Sequence, residues 1–170
     1  DGGPCSGGIE STVVDVTGEL PRILRPGLIS APMLEAVCGP VEVGMPACGG
    51  GEGVVRSPGQ MLKHYSPRAE VHLFAESWPL LDDELFLSLL EGEKVGVLEF
   101  GAPLRPSEFD PSGKLVCVWM PDDPCAYAAR LYAALHDLDG AGATRILVHL
   151  PPDAPEWAGV RDRLARAAAR

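Results

Sequence analysis

"DPCAYAARLYAALHDLDGAGATRILVHL", residues 123–150, passes from one periodicity to another. Tyr127, Leu131, Leu135 and Leu138 recur at i, i+4, i+8 and i+11, which lays one apolar stripe along a helix. Asp122 or Asp123 is placed to cap its start, Pro124 suits its first turn, and Gly140 is placed to end it. "RILVHL" (145–150) follows as a short apolar run of the kind found in buried strands. Three runs resemble it: "VHLF" (71–74), "KVGVLEF" (94–100) and "KLVCVWM" (114–120). Helical patterns at 78–92 and 154–170 complete an alternation of strand and helix. That alternation predicts an α/β fold with a small parallel sheet and helical crossovers over 68–170.

The region before it reads differently. "STVV" opens an apolar β-branched run at Ser11–Val16, and "RILR" (22–25) is stopped by Pro26-Gly27. The two predict a hairpin. "SAPMLEAVCG" (30–39) predicts a short helix, with Ser30 as N-cap, Pro32 in the first turn and Gly39 at its end. Residues 1–39 hold too few strands for an independent domain and read as the tail of a larger one. Residues 40–67 carry prolines, a Gly49-Gly50-Gly51 run and no periodicity, so they read as a linker.

Composition narrows the function classes. The chain is 46% hydrophobic and 22% charged, a globular composition. Its formal net charge of −10 argues against broad nucleic-acid binding through phosphate neutralisation. Between Gly44 and Ala69, however, Glu52 is the one acid against Arg56, Lys63 and Arg68, which suits an anionic ligand. Five cysteines, none spaced C-x-x-C, indicate neither a disulfide framework nor a zinc site. Cys117, in a strand run, reads as a buried thiol. With no apolar run long enough to span a bilayer and no signal peptide, a cytoplasmic location is expected.

Three motifs carry possible chemistry. In "GIESTVVDV" (8–16), hydroxyls and free amides at a loop–strand junction suit a carboxylate or phosphate, or simple turn chemistry. Arg25, at a strand end fixed by Pro26, suits an anion fork or a surface ion pair. In "SPGQMLKHYSP" (57–67), Lys63, His64 and Tyr65 suit a phosphate and a stacked base, or an aromatic plug that anchors a linker. His72, His136 and His149 lack ligand spacing and read as structural. Trp78, Trp119 and Trp157 read as packing residues. "RDRLARAAAR" (161–170) reads as a terminal helix with a solvated basic face. There is no G-x-G-x-x-G after a strand, no P-loop and no H-E-x-x-H.

Taken in order, "GIESTVVDV", "RILRPG" and "SPGQMLKHYSP" resemble the long, two-domain form of threonylcarbamoyl-adenylate synthase. The 126–152 segment and "VRDRLARAA" are similar to that family too, so the resemblance spans essentially the whole chain. It implies that 1–39 is the tail of a YrdC-like α/β catalytic domain, 40–67 a linker and 68–170 a Rossmann-like C-terminal domain. The implied reaction joins L-threonine, bicarbonate and ATP into threonylcarbamoyl-AMP with release of pyrophosphate, for threonylcarbamoylation of tRNA adenosine 37. The product would pass to tRNA-modifying enzymes, without stable tRNA or membrane binding by this chain.

The resemblance implies site residues as well. Ser11 matches a threonine contact and Arg25 a nucleotide contact. Ser57, His64 and Tyr65 match a segment folded over the active site near ATP. One departure is Gln60, where the family usually has Met. The family's K-x-R and S-x-N segments, which hold much of the ATP and threonine site, are not in this sequence. ATP is therefore expected as substrate, with Mg2+ held by an upstream domain, and the chain alone is expected to be an inactive fragment. The rival reading is an α/β regulatory module that binds a small ligand or partner at the carboxyl edge of its sheet.

Overall fold

Four parallel strands form the larger sheet: β4 (Glu70–Phe74), β5 (Val95–Phe100), β6 (Leu115–Met120) and β7 (Arg145–His149), in the order β4-β7-β5-β6. The computed structural model describes residues 7–44, 66–75, 93–100 and 113–169. The helix expected at 78–92, and Ser57, His64 and Tyr65 of the linker motif, lie outside the described residues.

Helix α2 (Pro124–Gly140) connects β6 to β7. Its Tyr127, Leu131, Leu135 and Leu138 are all buried, as their spacing predicts. They pack on one face of the sheet with Leu98, Ile146 and Val148. Helix α3 (Ala158–Ala168), entered through a 3-10 turn at Pro155–Trp157, adds Trp157, Val160 and Leu164 to the same core. Val95, Val97 and Leu147 alternate with these residues along the strands and are buried as well, so β5 and β7 are apolar on both faces.

The ends of α2 follow from its sequence. Asp123 Oδ1 accepts a hydrogen bond from the Ala126 amide at 2.8 Å. Gly140 stays within the helix, and the stop falls two residues later at Gly142, whose φ is 85°. There the Gly142 amide reaches Asp139 O and the Ala143 amide reaches Leu138 O, a Schellman closure that needs left-handed backbone at its centre.

Tyr127 stacks edge-on against Trp157, with centroids 5.7 Å apart, and lies 6.2 Å from Phe100. Its hydroxyl is buried and has no hydrogen-bond partner among the described residues. Burial pushes its pKa well up, and the negative charge of Glu99 adds to the shift. A hydroxyl desolvated without compensation costs stability, so Tyr127→Phe is expected to raise it by about 1 kcal/mol. A lower melting temperature for that variant would show that the hydroxyl is satisfied.

The N-terminal region forms a second, three-stranded sheet, ordered β1 (Val13–Asp15), β2 (Arg22–Arg25), β3 (Glu42–Val43). β1 and β2 are antiparallel, as the hairpin reading requires, and α1 (Ala31–Cys38) follows β2. Ser30 precedes α1 without a side-chain cap bond, and Gly39 closes it with φ 80°. β3 is an addition to the sequence reading. It falls at the start of the stretch without periodicity and pairs parallel with β2. Arg22 and Glu42 reinforce that pairing with an ion pair at 2.6 Å.

Candidate active-site edge

β1 and β2 bring Ser11 and Arg25 together. The register places Val13 opposite Arg25 and Val14 opposite Ile23, with an irregularity between them. Arg25 then reaches back, and its Nε and Nη2 donate to the Ser11 carbonyl at 3.3 and 3.1 Å. Thr12 Oγ1 donates to Ile29 O at 2.8 Å and ties the start of the strand to the approach to α1. Ser11 remains exposed while Arg25 is half-buried. The result is a hydroxyl and a guanidinium on one edge, held by short-range backbone contacts. A guanidinium fixed in this way is preorganised for a carboxylate or phosphate oxygen.

This edge rests on the helices of the larger sheet. The Cβ of any residue replacing Gly8 would lie 2.2 Å from Ala129 Cα, and Gly8 has φ 61°. A Cβ at Gly159 of α3 would lie 2.6 Å from Gly27 O. The backbones on the two sides therefore touch.

Between these contacts lies a charged cluster. Arg163, on α3, is 5% exposed. Its Nε donates to Glu10 Oε2 at 2.6 Å, its Nη2 to Glu10 O at 3.2 Å and its Nη1 to Pro26 O at 3.1 Å. Asp162 flanks it and is gripped by Arg166 through two bonds at 2.8 and 3.0 Å. Burial alone would raise the pKa of Glu10, but the hydrogen bond and charge of Arg163 outweigh it and hold the carboxyl below its usual value. Beside it, desolvation and the charge of Glu10 push Tyr132 up to about 12.

The solvated basic face expected for the last helix is thus corrected, since Arg163 is buried and Arg166 nearly so. Sequence reasoning missed Arg163 and Glu10 as a pair. A signal was present in the helix. Arg163 adjoins the stripe formed by Trp157, Val160 and Leu164, and a charge on a buried face needs a partner.

A cavity of about 370 Å³ opens nearby. Ile23, Ile29 and Val43 line one side, and Ala154, Pro155 and Ala158 the other. Its lining is mainly apolar and Asp153 is its charged group, which does not suit a triphosphate.

At the carboxyl ends of β5 and β7, Glu99 Oε1 lies 3.0 Å from His149 Nδ1. Burial raises the pKa of Glu99, and His149 offsets part of the shift. Glu99 is closed off from solvent, so this pair ties two strands together rather than presenting a surface. That agrees with the structural reading of His149. Cys117 is half-buried rather than buried, and Trp157 packs fully.

The family model described as "Threonylcarbamoyl-AMP synthase, C-terminal domain" matches residues 29–169. Similar curated proteins carry the name threonylcarbamoyl-AMP synthase. That of Schizosaccharomyces pombe is 33% identical over 180 residues, covering 99% of this chain and 44% of its own length. That of Bacillus subtilis is 32% identical over 175 residues, covering 99% and 47%. Among solved structures, Pyrococcus abyssi Sua5 complexed with L-threonine superposes with a TM-score of 0.77 at 28% identity, over 99% of this chain and 48% of that one. A variant of the same protein, with a His-Tyr pair replaced by alanines, gives 0.78 at 28% identity over 99% and 47%. The chain spans about half the length of the curated relatives it matches.

Proposed function

This chain belongs to the threonylcarbamoyl-AMP synthase C-terminal-domain family, and from that premise we propose that it works as part of an enzyme joining L-threonine, bicarbonate and ATP into threonylcarbamoyl-AMP. The threonine amine condenses with bicarbonate to a carbamate, and water leaves. The carbamate oxygen then attacks the α-phosphorus of ATP, and pyrophosphate leaves. The product serves threonylcarbamoylation of tRNA adenosine 37 through downstream tRNA-modifying enzymes. The net charge of −10 fits a body that hands over a small adenylate without holding tRNA itself.

In this reading Ser11 contacts threonine and Arg25 contacts the nucleotide, with Ser57, His64 and Tyr65 contributing from the linker. The observation that carries it is the Arg25–Ser11 contact. Two residues fourteen positions apart, assigned to the two substrates that must meet, share one edge. Proximity of carbamate and α-phosphate is what such a reaction needs, since orientation removes much of the entropic barrier. Among the described residues no group of three or more His, Cys, Asp or Glu side chains converges to hold a metal ion. The described residues thus offer no donor set for the Mg2+ expected with ATP.

The test is pyrophosphate release by the natural full-length protein with threonine, bicarbonate and ATP. Arg25→Ala is expected to raise the KM for ATP about tenfold or more, the loss of a charge-assisted contact. The 170 residues alone are expected to give no turnover. Release that does not depend on threonine in the full-length protein would overturn the assignment, and clear turnover by this chain alone would overturn its reading as an inactive fragment.

A further inference from the structure

The three bonds from Arg163 to the N-terminal region end on Glu10 and Pro26. Glu10 is bonded in sequence to Ser11, and Pro26 to Arg25. Arg25 in turn holds the Ser11 carbonyl. The contacts close a ring: Arg163 to Glu10, along the chain to Ser11, across to Arg25, along to Pro26 and back to Arg163. We infer that Arg163, carried on the last helix of the domain built on the larger sheet, is a positioning residue that sets the separation and orientation of Ser11 and Arg25. The inference rests on the site reading proposed above for those two residues.

The chemistry suits the role. A guanidinium is a rigid planar fork, so three acceptors on two different segments cannot shift independently of one another. Two of the acceptors are main-chain carbonyls, so Arg163 fixes backbone rather than a mobile side chain. Burial strengthens each bond and makes an unmet one costly. Asp162, itself held by Arg166, accepts from Arg163 Nη1, and Tyr132 Oη approaches Glu10 Oε2 at 3.5 Å. The position of α3 is thereby transmitted to the edge carrying Ser11 and Arg25. No lysine can reproduce this, because an ammonium has no planar fork to span Glu10 and Pro26 together.

The experiment compares Arg163→Met with Arg161→Met in the natural full-length protein. Arg161 lies on the same helix, but it bonds Pro151 O and pairs with Asp153, in the segment that leads into α3, and makes no contact of this kind with Glu10 or Pro26. Two readouts are taken. Hydrogen exchange in peptides covering 7–16 and 22–30 is expected to rise about tenfold in Arg163→Met, the loss of a charge-assisted bond. Peptides covering 95–100 and 115–120 are expected to keep their protection. The KM values for threonine and ATP are expected to rise together, each about fivefold or more, with kcat changed less. Arg161→Met is expected to leave both readouts at the parent values.

Exchange that rises evenly over the whole chain, or KM values equal to the parent's, would reduce Arg163 to a stability residue and overturn the inference. Should the parent protein show no threonine-dependent pyrophosphate release, the functional reading fails by itself. The exchange contrast between the two variants then still decides whether Arg163 holds the two segments.

Discussion

Gly159→Val is expected to pry the N-terminal sheet off α3 and to destabilise the protein by about 3 kcal/mol or more, as severe overpacking against backbone does. Helix propensity argues weakly the other way, since most residues improve on a mid-helix glycine by up to about 1 kcal/mol. Geometry decides the sign. A Cβ at 159 would sit 2.6 Å from Gly27 O and 2.8 Å from Gly27 C, both main-chain atoms. Gly27 cannot retreat, because on its far side the Thr12 amide stands 2.4 Å from where its own Cβ would be. Chemical denaturation measures the loss. Limited proteolysis between β1 and β2 reports the detachment. A variant with parent-like stability would mean that the two units slide past each other without resistance.

Leu98→Ala is expected to cost about 2–5 kcal/mol, the range for deleting most of a buried leucine. Leu98 is fully buried in β5 and belongs to the main core. Domains of this size have about 5–15 kcal/mol in total, so the variant would retain little margin at 37 °C. Leu20, which is exposed, supplies the contrast: Leu20→Ala is expected to change stability by less than about 0.5 kcal/mol. A urea titration placing both variants within 1 kcal/mol of the parent, a small shift by the same scale, would show that the core around β5 is not where the stability lies.

Much of the larger unit was legible because one physical cause dominates it. Strands buried on both faces must be apolar throughout, and a helix covering them must show a stripe. β4 to β7 and α2 follow from those two constraints. Local closure was less legible. Gly140 and Gly142 both follow the last buried leucine, and only the left-handed backbone at Gly142 distinguishes the one that turns the chain. β3 is two exposed residues, too short for any alternation to register. The contact between Ser11 and Arg25 depends on the irregular pairing after Val13, which no composition encodes. Arg163 was harder still. Its partners Glu10 and Pro26 lie more than 130 positions away, and a helix rich in arginine invites a solvated reading until the burial of its neighbours is known.

The strand order also governs how the chain comes together in time. β7, the last of these four strands in sequence, lies between β4 and β5 and is hydrogen-bonded to both. Until residue 149 has been synthesised, β4 lacks its neighbouring strand β7, and among the described strands β5 can pair only with β6. Both carry unpaired backbone on the flank that β7 will fill, and such edges invite pairing with other chains. Closure of the sheet is therefore a long-range event that waits for β7, and long-range pairings form slowly. Arg163 and Gly159 come later still in the sequence, so the N-terminal sheet gains its clamp only after the larger sheet has closed behind it. Slowing the ribosome just ahead of residue 149 would prolong the exposed state rather than relieve it.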